Sequence, residues 1–169
     1  MNISPYFSAL LRQRINDDMT MRKLATSTQI DYFRGVNKLC EYLQHYPETT
    51  TQEELREFQL FMVNHGVSGI TINATLTALK FLFQVTLDKP EVIARIYPVT
   101  VARKLPVVLS LEETTRFMAC ATHPKFKAAF AVAYGAGLRV SEVVSLKVSD
   151  IDSKRMALRV EQGKGSRDR

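Results

Sequence analysis

The sequence predicts a mainly α-helical protein with a small β part, and three observations carry that expectation. Before Asp88, apolar residues recur at three- and four-residue steps in four successive stretches. Between Lys89 and Leu109 that period is lost, and Pro90, Pro98 and Pro106 punctuate the chain. After Ser110 helical signals return, then give way near the C-terminal end to strict alternation. The 169 residues suit one ordinary domain or two small ones. With 46% hydrophobic and 24% charged residues, the balance is that of a folded soluble protein.

The first stretch, Ile3 to Ile15, is modestly amphipathic, with Phe7, Leu10 and Leu11 as its apolar side. The second predicts a helix from about Ser27 to Leu43, because Ile30, Phe33, Val36, Leu39, Cys40 and Leu43 fall on one face. Pro47 and the threonines after it break that helix. A third begins near Thr50 or Thr51, since Thr50 with Glu53, or Thr51 with Glu54, has capping-box spacing. Leu55, Phe58, Phe61 and Met62 form its predicted buried stripe, and Gly66 ends it. The fourth runs from about Gly69 to Leu87, with Ile72, Leu76, Leu79, Phe83 and Leu87 facing the core. Short connections argue for a compact bundle. Residues 1–88 are therefore read as a four-helix domain and 89–109 as an extended linker.

Residues 110–169 open on Ser110-Leu-Glu-Glu113, a second capping-box pattern, which predicts a helix to about Ala121. Pro124 to Tyr134 is rich in alanine and apolar residues and is expected to be a buried helix, ended by Gly135-Ala-Gly137. A short helix is expected near Ser141 to Leu146, then a turn at Asp150-Ile-Asp152. Arg155 to Gln162 reads as a strand with Met156, Leu158 and Val160 on its inner face. Gly163-Lys164-Gly165 is a tight turn, after which a partner strand is expected.

Net charge is +6, which favours a polyanionic partner. Through Asp88 there are 8 Lys/Arg against 9 Asp/Glu, a net of −1; from Lys89 on there are 15 against 8, a net of +7. If the first domain grips a polyanion, it does so with one local face. No stretch is long and apolar enough to cross a membrane, and the start does not read as a signal peptide. Cys40 and Cys120 lie in apolar helical patterns and are expected to be reduced core thiols of a cytoplasmic protein. His45, His65 and His123 lack metal-ligand spacing and read as surface or helix-end residues.

The informative segment is Tyr134-Gly-Ala-Gly-Leu-Arg-Val-Ser-Glu-Val-Val-Ser-Leu-Lys-Val-Ser-Asp-Ile-Asp152. It resembles the first conserved box of the tyrosine recombinase, or phage integrase, family. The Gly-Lys164-Gly turn resembles that family's β-hairpin lysine. The four-helix front, the proline-broken linker and the Leu-Pro-x-x-Leu-Ser-x-Glu entry from Leu105 resemble the bacterial Xer-type members. The resemblance covers essentially the whole chain. It implies a SAM-like core-binding domain that clamps DNA, followed by the first part of an α+β catalytic domain.

Chemistry agrees with that resemblance. Cutting and rejoining DNA through a protein–phosphate bond adds negative charge to phosphate oxygens in the transition state, and a fixed guanidinium donates two parallel hydrogen bonds to them. Arg139 follows a glycine-rich turn at the start of a helix, with Glu142 three residues on to orient it. By resemblance it is the family's first catalytic arginine; the alternative is an arginine paired with Glu142 for structural reasons alone. Lys164, with glycine on both sides, can approach a DNA backbone closely. By resemblance it protonates the departing 5′ oxygen as a general acid; the alternative is a basic hairpin tip that only binds phosphate. In the front domain Asn73, Thr77, Lys80 and Gln84 form a polar stripe opposite Leu76, Leu79 and Phe83, and Arg34 and Lys38 form a similar pair on the second helix. The resemblance implies that these two helices cross DNA; the plainer alternative is a solvated helix face.

The family's remaining catalytic residues, a His-x-x-Arg box, a second histidine or tryptophan and the tyrosine nucleophile, lie further along its chains. Here all six tyrosines and all three histidines come before Arg139. The expectation is therefore a DNA-binding portion of a site-specific recombinase, truncated before the nucleophile and inactive alone. The helices between Ser110 and Leu146 are then expected to expose apolar surface. Double-stranded DNA and, in the full-length protein, other recombinase protomers are the expected partners. No metal, Mg²⁺ or nucleotide cofactor is implied. Two rivals remain: a non-catalytic DNA binder that interferes with a full-length relative, and a helical interaction module with incidental basic charge.

Overall fold

The computed structural model describes residues 3–102 and 105–161 and divides the chain into two compact units, 1–104 and 105–169. The first unit is helical. Helix α1 is Ala9–Met21, α2 is Thr26–Leu43, α3 is Gln52–Asn64 and α4 is Gly69–Phe81. Helix α1 starts later than expected because Ser8 caps it, accepting from the Leu11 N–H; Phe7 lies outside the helix but stays buried. Of the two candidate caps for α3, Thr51 with Glu54 forms the capping box: each side chain takes the other's backbone N–H, at 3.3 and 2.7 Å.

Leu11, Ile15 and Met19 from α1 meet Val36, Leu39 and Cys40 from α2, Leu55, Phe58 and Met62 from α3, and Ile72, Leu76 and Leu79 from α4. The periodic stripes supplied this core, with exceptions at their edges. Ile30 and Phe61 were expected inside but are exposed, and Phe33 and Leu43 are only partly covered. Phe61 instead stacks outside the core on Tyr42 and His65, with ring centroids 4.9 and 4.0 Å apart. Helices α2 and α4 meet most closely at Gly35, where a Cβ would lie 2.7 Å from that of Ala78. Glycine is needed there for close approach.

Beyond Phe81 the fourth helix does not stay regular. Leu82–Thr86 forms a wide π turn in which the Leu87 N–H reaches the Leu82 carbonyl at 2.9 Å. The consecutive side chains Leu82 and Phe83 are both fully buried in that turn.

The segment expected to be an extended linker begins differently. Pro90–Ile93 forms a short helix, α5, and Val92, Ile93 and Ile96 are buried in the same core. Proline at the first helical position opens that turn at no hydrogen-bond cost. Prolines alone therefore did not mark a free linker; the apolar residues between them decided where the segment went.

In the second unit, α6 is Leu111–Ala119, α7 is Pro124–Ala136 and α8 is Val140–Ser145. Ser110 and Glu113 form the expected capping box of α6. Gly137 ends α7 in the left-handed region, φ 61°, and the Leu138 N–H returns to the Ala133 carbonyl. Two expectations fail here. Helix α7 is not buried, which meets the expectation of exposed apolar surface between Ser110 and Leu146 and not that of a covered helix, and Cys120 is exposed rather than in a core. Among the described residues of this unit only Glu142, Asp150 and Val160 are buried, so its few short elements do not enclose one another.

The strand expected over Arg155–Gln162 is also different. Ile151–Asp152 (β1) pairs antiparallel with Ala157–Leu158 (β2), Ile151 opposite Leu158. One partner thus precedes the strand, in the stretch read as a turn; the Gly163-Lys164-Gly165 turn and the strand expected after it lie outside the described residues. Asp152 bends the chain by accepting from the N–H groups of Lys154 and Arg155, both at 3.0 Å. Met156, expected inside, takes φ 52° in that turn and is exposed.

Candidate nucleic-acid interface

Arg139 is placed by three local devices. The left-handed Gly137 stops α7 and turns the chain. Arg139 then takes an extended conformation as the cap residue of α8 and its carbonyl accepts the Val143 N–H at 2.9 Å. Finally Glu142 reaches back: one carboxylate oxygen accepts the Arg139 backbone N–H at 2.8 Å, the other accepts Nη1 at 2.9 Å. Backbone and guanidinium are thus held by a single carboxylate. Glu142 is buried, whereas the Arg139 side chain is 52% exposed. The use of the pair is geometric: it fixes the direction of a guanidinium whose other edge faces solvent.

Beside Glu142 lies a polar hollow of about 390 Å³ lined by Ser145, Lys147, Asp150, Arg159 and Glu161 among others. Lys147 and Arg159 lean on Glu161 at 3.6 and 3.9 Å, distances of loose surface pairs. The Lys147 N–H is fixed by the Asp150 carboxylate at 2.8 Å, and the Arg159 N–H by the Asp150 carbonyl at 2.9 Å. Neither basic residue was singled out from the sequence, because nothing in the linear pattern shows that residues 147 and 159 line one hollow. Lys164 lies outside the described residues.

In the first unit the nominated side chains divide. Arg34, Lys38, Thr77 and Gln84 are exposed and Lys80 is half-buried, so all five lie off the buried faces of α2, α4 and the Leu82–Thr86 turn. Arg34 is held by Asp31 at 3.1 Å, one helical turn back. Thr77 bonds the Asn73 carbonyl, an ordinary use of threonine inside a helix. Asn73 stands apart: its amide forms two hydrogen bonds with the backbone of Val99. Arg22, which the sequence reading passed over, lies over the Phe81 ring at 5.7 Å, and Phe81 in turn packs on Tyr32.

Two other groups bear on chemistry. Burial pushes the Cys40 thiol up to about 12, so it is an inert core residue. His45 is flanked by acceptors, the Tyr46 carbonyl at 3.0 Å and Glu54 at 2.9 Å, which raise it above its ordinary 6.5. No group of side chains with metal-ligand character is present among the described residues.

Comparison with known proteins shows the family. Residues 11–91 match the model of the phage integrase N-terminal SAM-like domain, and residues 108–169 match that of the phage integrase family. The chain belongs to the phage integrase family of tyrosine recombinases. It is 39% identical to integrase/recombinase y4qK of Sinorhizobium fredii over 94% of its length, covering 52% of that protein. It is 33% identical to tyrosine recombinase XerA of Thermococcus onnurineus over 76% of its length, covering 45% of that protein. In fold it is similar to a lambda integrase dimer bound to a core site, with TM-score 0.73 and 19% identity over 95% of this chain and 47% of the other. The chain therefore spans about half the length of the curated relatives it matches.

Proposed function

We propose that this chain is the duplex-DNA-binding and first phosphate-handling portion of a site-specific recombinase. The observation that carries the reading is Arg139, whose guanidinium is held on one edge by a buried carboxylate while the other edge faces solvent. A fixed, half-exposed fork of donors suits a phosphate whose oxygens gain charge during strand transfer. Lys164 is proposed as the proton donor to the departing 5′ oxygen. In the first unit Arg34, Lys38, Thr77, Lys80 and Gln84 are proposed to lie along the DNA, charged groups on phosphates and the amide and hydroxyl at base edges. Other recombinase protomers are proposed partners of the longer protein.

Binding of the chain to duplex DNA at several salt concentrations tests this. Affinity is expected to fall steeply, log Kd changing linearly with log salt. Binding that ignores salt, or no binding at low salt, overturns the reading.

A further inference from the structure

One side chain on the proposed DNA-facing helix does something other than face DNA. Asn73 lies in the first half of α4. Its Nδ2 donates to the Val99 carbonyl at 2.9 Å, and its Oδ1 accepts the Val99 N–H at 2.7 Å. Both polar groups of that peptide residue are satisfied by one amide, as a neighbouring β-strand would satisfy them. Two further contacts secure the same stretch. Gln59 Nε2, on α3, donates to the Tyr97 carbonyl at 3.0 Å. Val101 packs over Gly69 so closely that a Cβ there would lie 2.8 Å from Val101 Cγ2, with Val99 Cγ1 at 3.6 Å. Residues 97, 99 and 101 are thus each held, at the two-residue period of an extended segment. Just upstream, Ile96 is buried in the core.

The geometry points to Asn73 as a positioning residue, one that fastens the connecting segment to the helix proposed to read DNA. The chain then leaves the first unit at about Val101, not at the end of the fourth helix. This rests on the nucleic-acid reading for its consequence but not for its geometry. Both units carry nominated phosphate-binding residues, and the tether length between them, counted from the last held residue of the first, bounds how strongly the second binds once the first is down. Releasing Tyr97–Val101 adds five residues, about 17 Å of extended chain, to that tether. A solvated helix-face asparagine would do none of this.

The test is a double-mutant cycle in the full chain, Asn73→Ala against Val99→Pro, which removes the N–H that Asn73 accepts and leaves α4 untouched. Amide exchange is read over residues 97–101 without DNA, and duplex affinity is read at fixed salt. Asn73→Ala is expected to speed exchange at Val99 about tenfold, through loss of two neutral hydrogen bonds. It is also expected to weaken duplex binding about threefold. Val99→Pro should weaken binding similarly, and the double variant should be no worse than either single one. Thr77→Ala should leave exchange at Val99 unchanged. If Val99→Pro also loosens Leu79, Gln59→Ala, which frees only the Tyr97 carbonyl, replaces it in the cycle. Unchanged exchange at Val99 in Asn73→Ala overturns the fastening. Losses in affinity that simply add overturn the positioning role and make Asn73 a direct contact. If the unaltered chain binds no duplex, the nucleic-acid reading fails, and the exchange arm still decides whether Asn73 holds the segment.

Discussion

Arg139 and Glu142 form a unit in which a buried carboxylate holds an exposed guanidinium, the group proposed to meet phosphate. Arg139→Ala is expected to reduce the magnitude of the salt slope of duplex binding by about 0.9, one phosphate contact, without unfolding the unit. An unchanged slope would make Arg139 a purely structural arginine. His45 gives a second residue-scale expectation. The Tyr46 carbonyl and Glu54 raise its folded pKa above 6.5, so its contribution is complete below 6.5 and is lost as pH rises through the folded value. Glu54 is held below 4.5, first by the Thr51 N–H and then by His45, so its contribution is present above 4.5 and lost as pH falls through the folded value. The pair therefore stabilises the first unit most between about 4.5 and 6.5. Thermal melts across pH 4 to 8 should show this window, and His45→Gln should flatten its alkaline side. The pairing of Arg139 with Glu142 was legible in the sequence because the two lie one helical turn apart in a contiguous box. The partners of Asn73 were not, because Val99 lies 26 residues away and a side-chain-to-backbone bond leaves no periodic trace.

At the scale of elements, α2 and α4 are joined through Gly35, so their outward residues keep one mutual spacing. Gly35→Ala would drive a methyl against Ala78 and is expected to cost about 1–3 kcal/mol. Adding Ala78→Gly should restore much of that loss, which chemical denaturation measures. The helices themselves were legible because a 3.6-residue apolar stripe and its cap act locally, as at Thr51 with Glu54 and Ser110 with Glu113. The misses share one cause. Alanine-rich α7 reads as buried only if something covers it, and Met156 reads as inward only if the strand runs straight through it. Apolar period reports which face could be buried, not whether a neighbour is there to bury it.

For the molecule as a whole, the two units differ in how much core they own. The first buries eighteen apolar residues in one cluster, while the described residues of the second bury three, two of them acidic. In denaturant the second unit is expected to lose structure first, and amide exchange should be slow around Leu39, Phe58 and Leu79 and fast through α6 and α7. A single coincident transition for both units would contradict this. The wide turn at Leu82–Thr86 has its own bearing on the molecule's tolerance to insertions and deletions. It acts as a phase buffer: one residue more than a regular helix needs is absorbed there, so what lies downstream keeps its phase. Deleting a single residue within it would restore a regular helix and leave the chain beyond nearly in phase, whereas deleting one from the regular part of α4 would turn everything downstream by about 100°. Val92, Ile93 and Ile96 would then lose their places. A change of length by one residue should therefore be tolerated within Leu82–Thr86 and not in the regular helix before it.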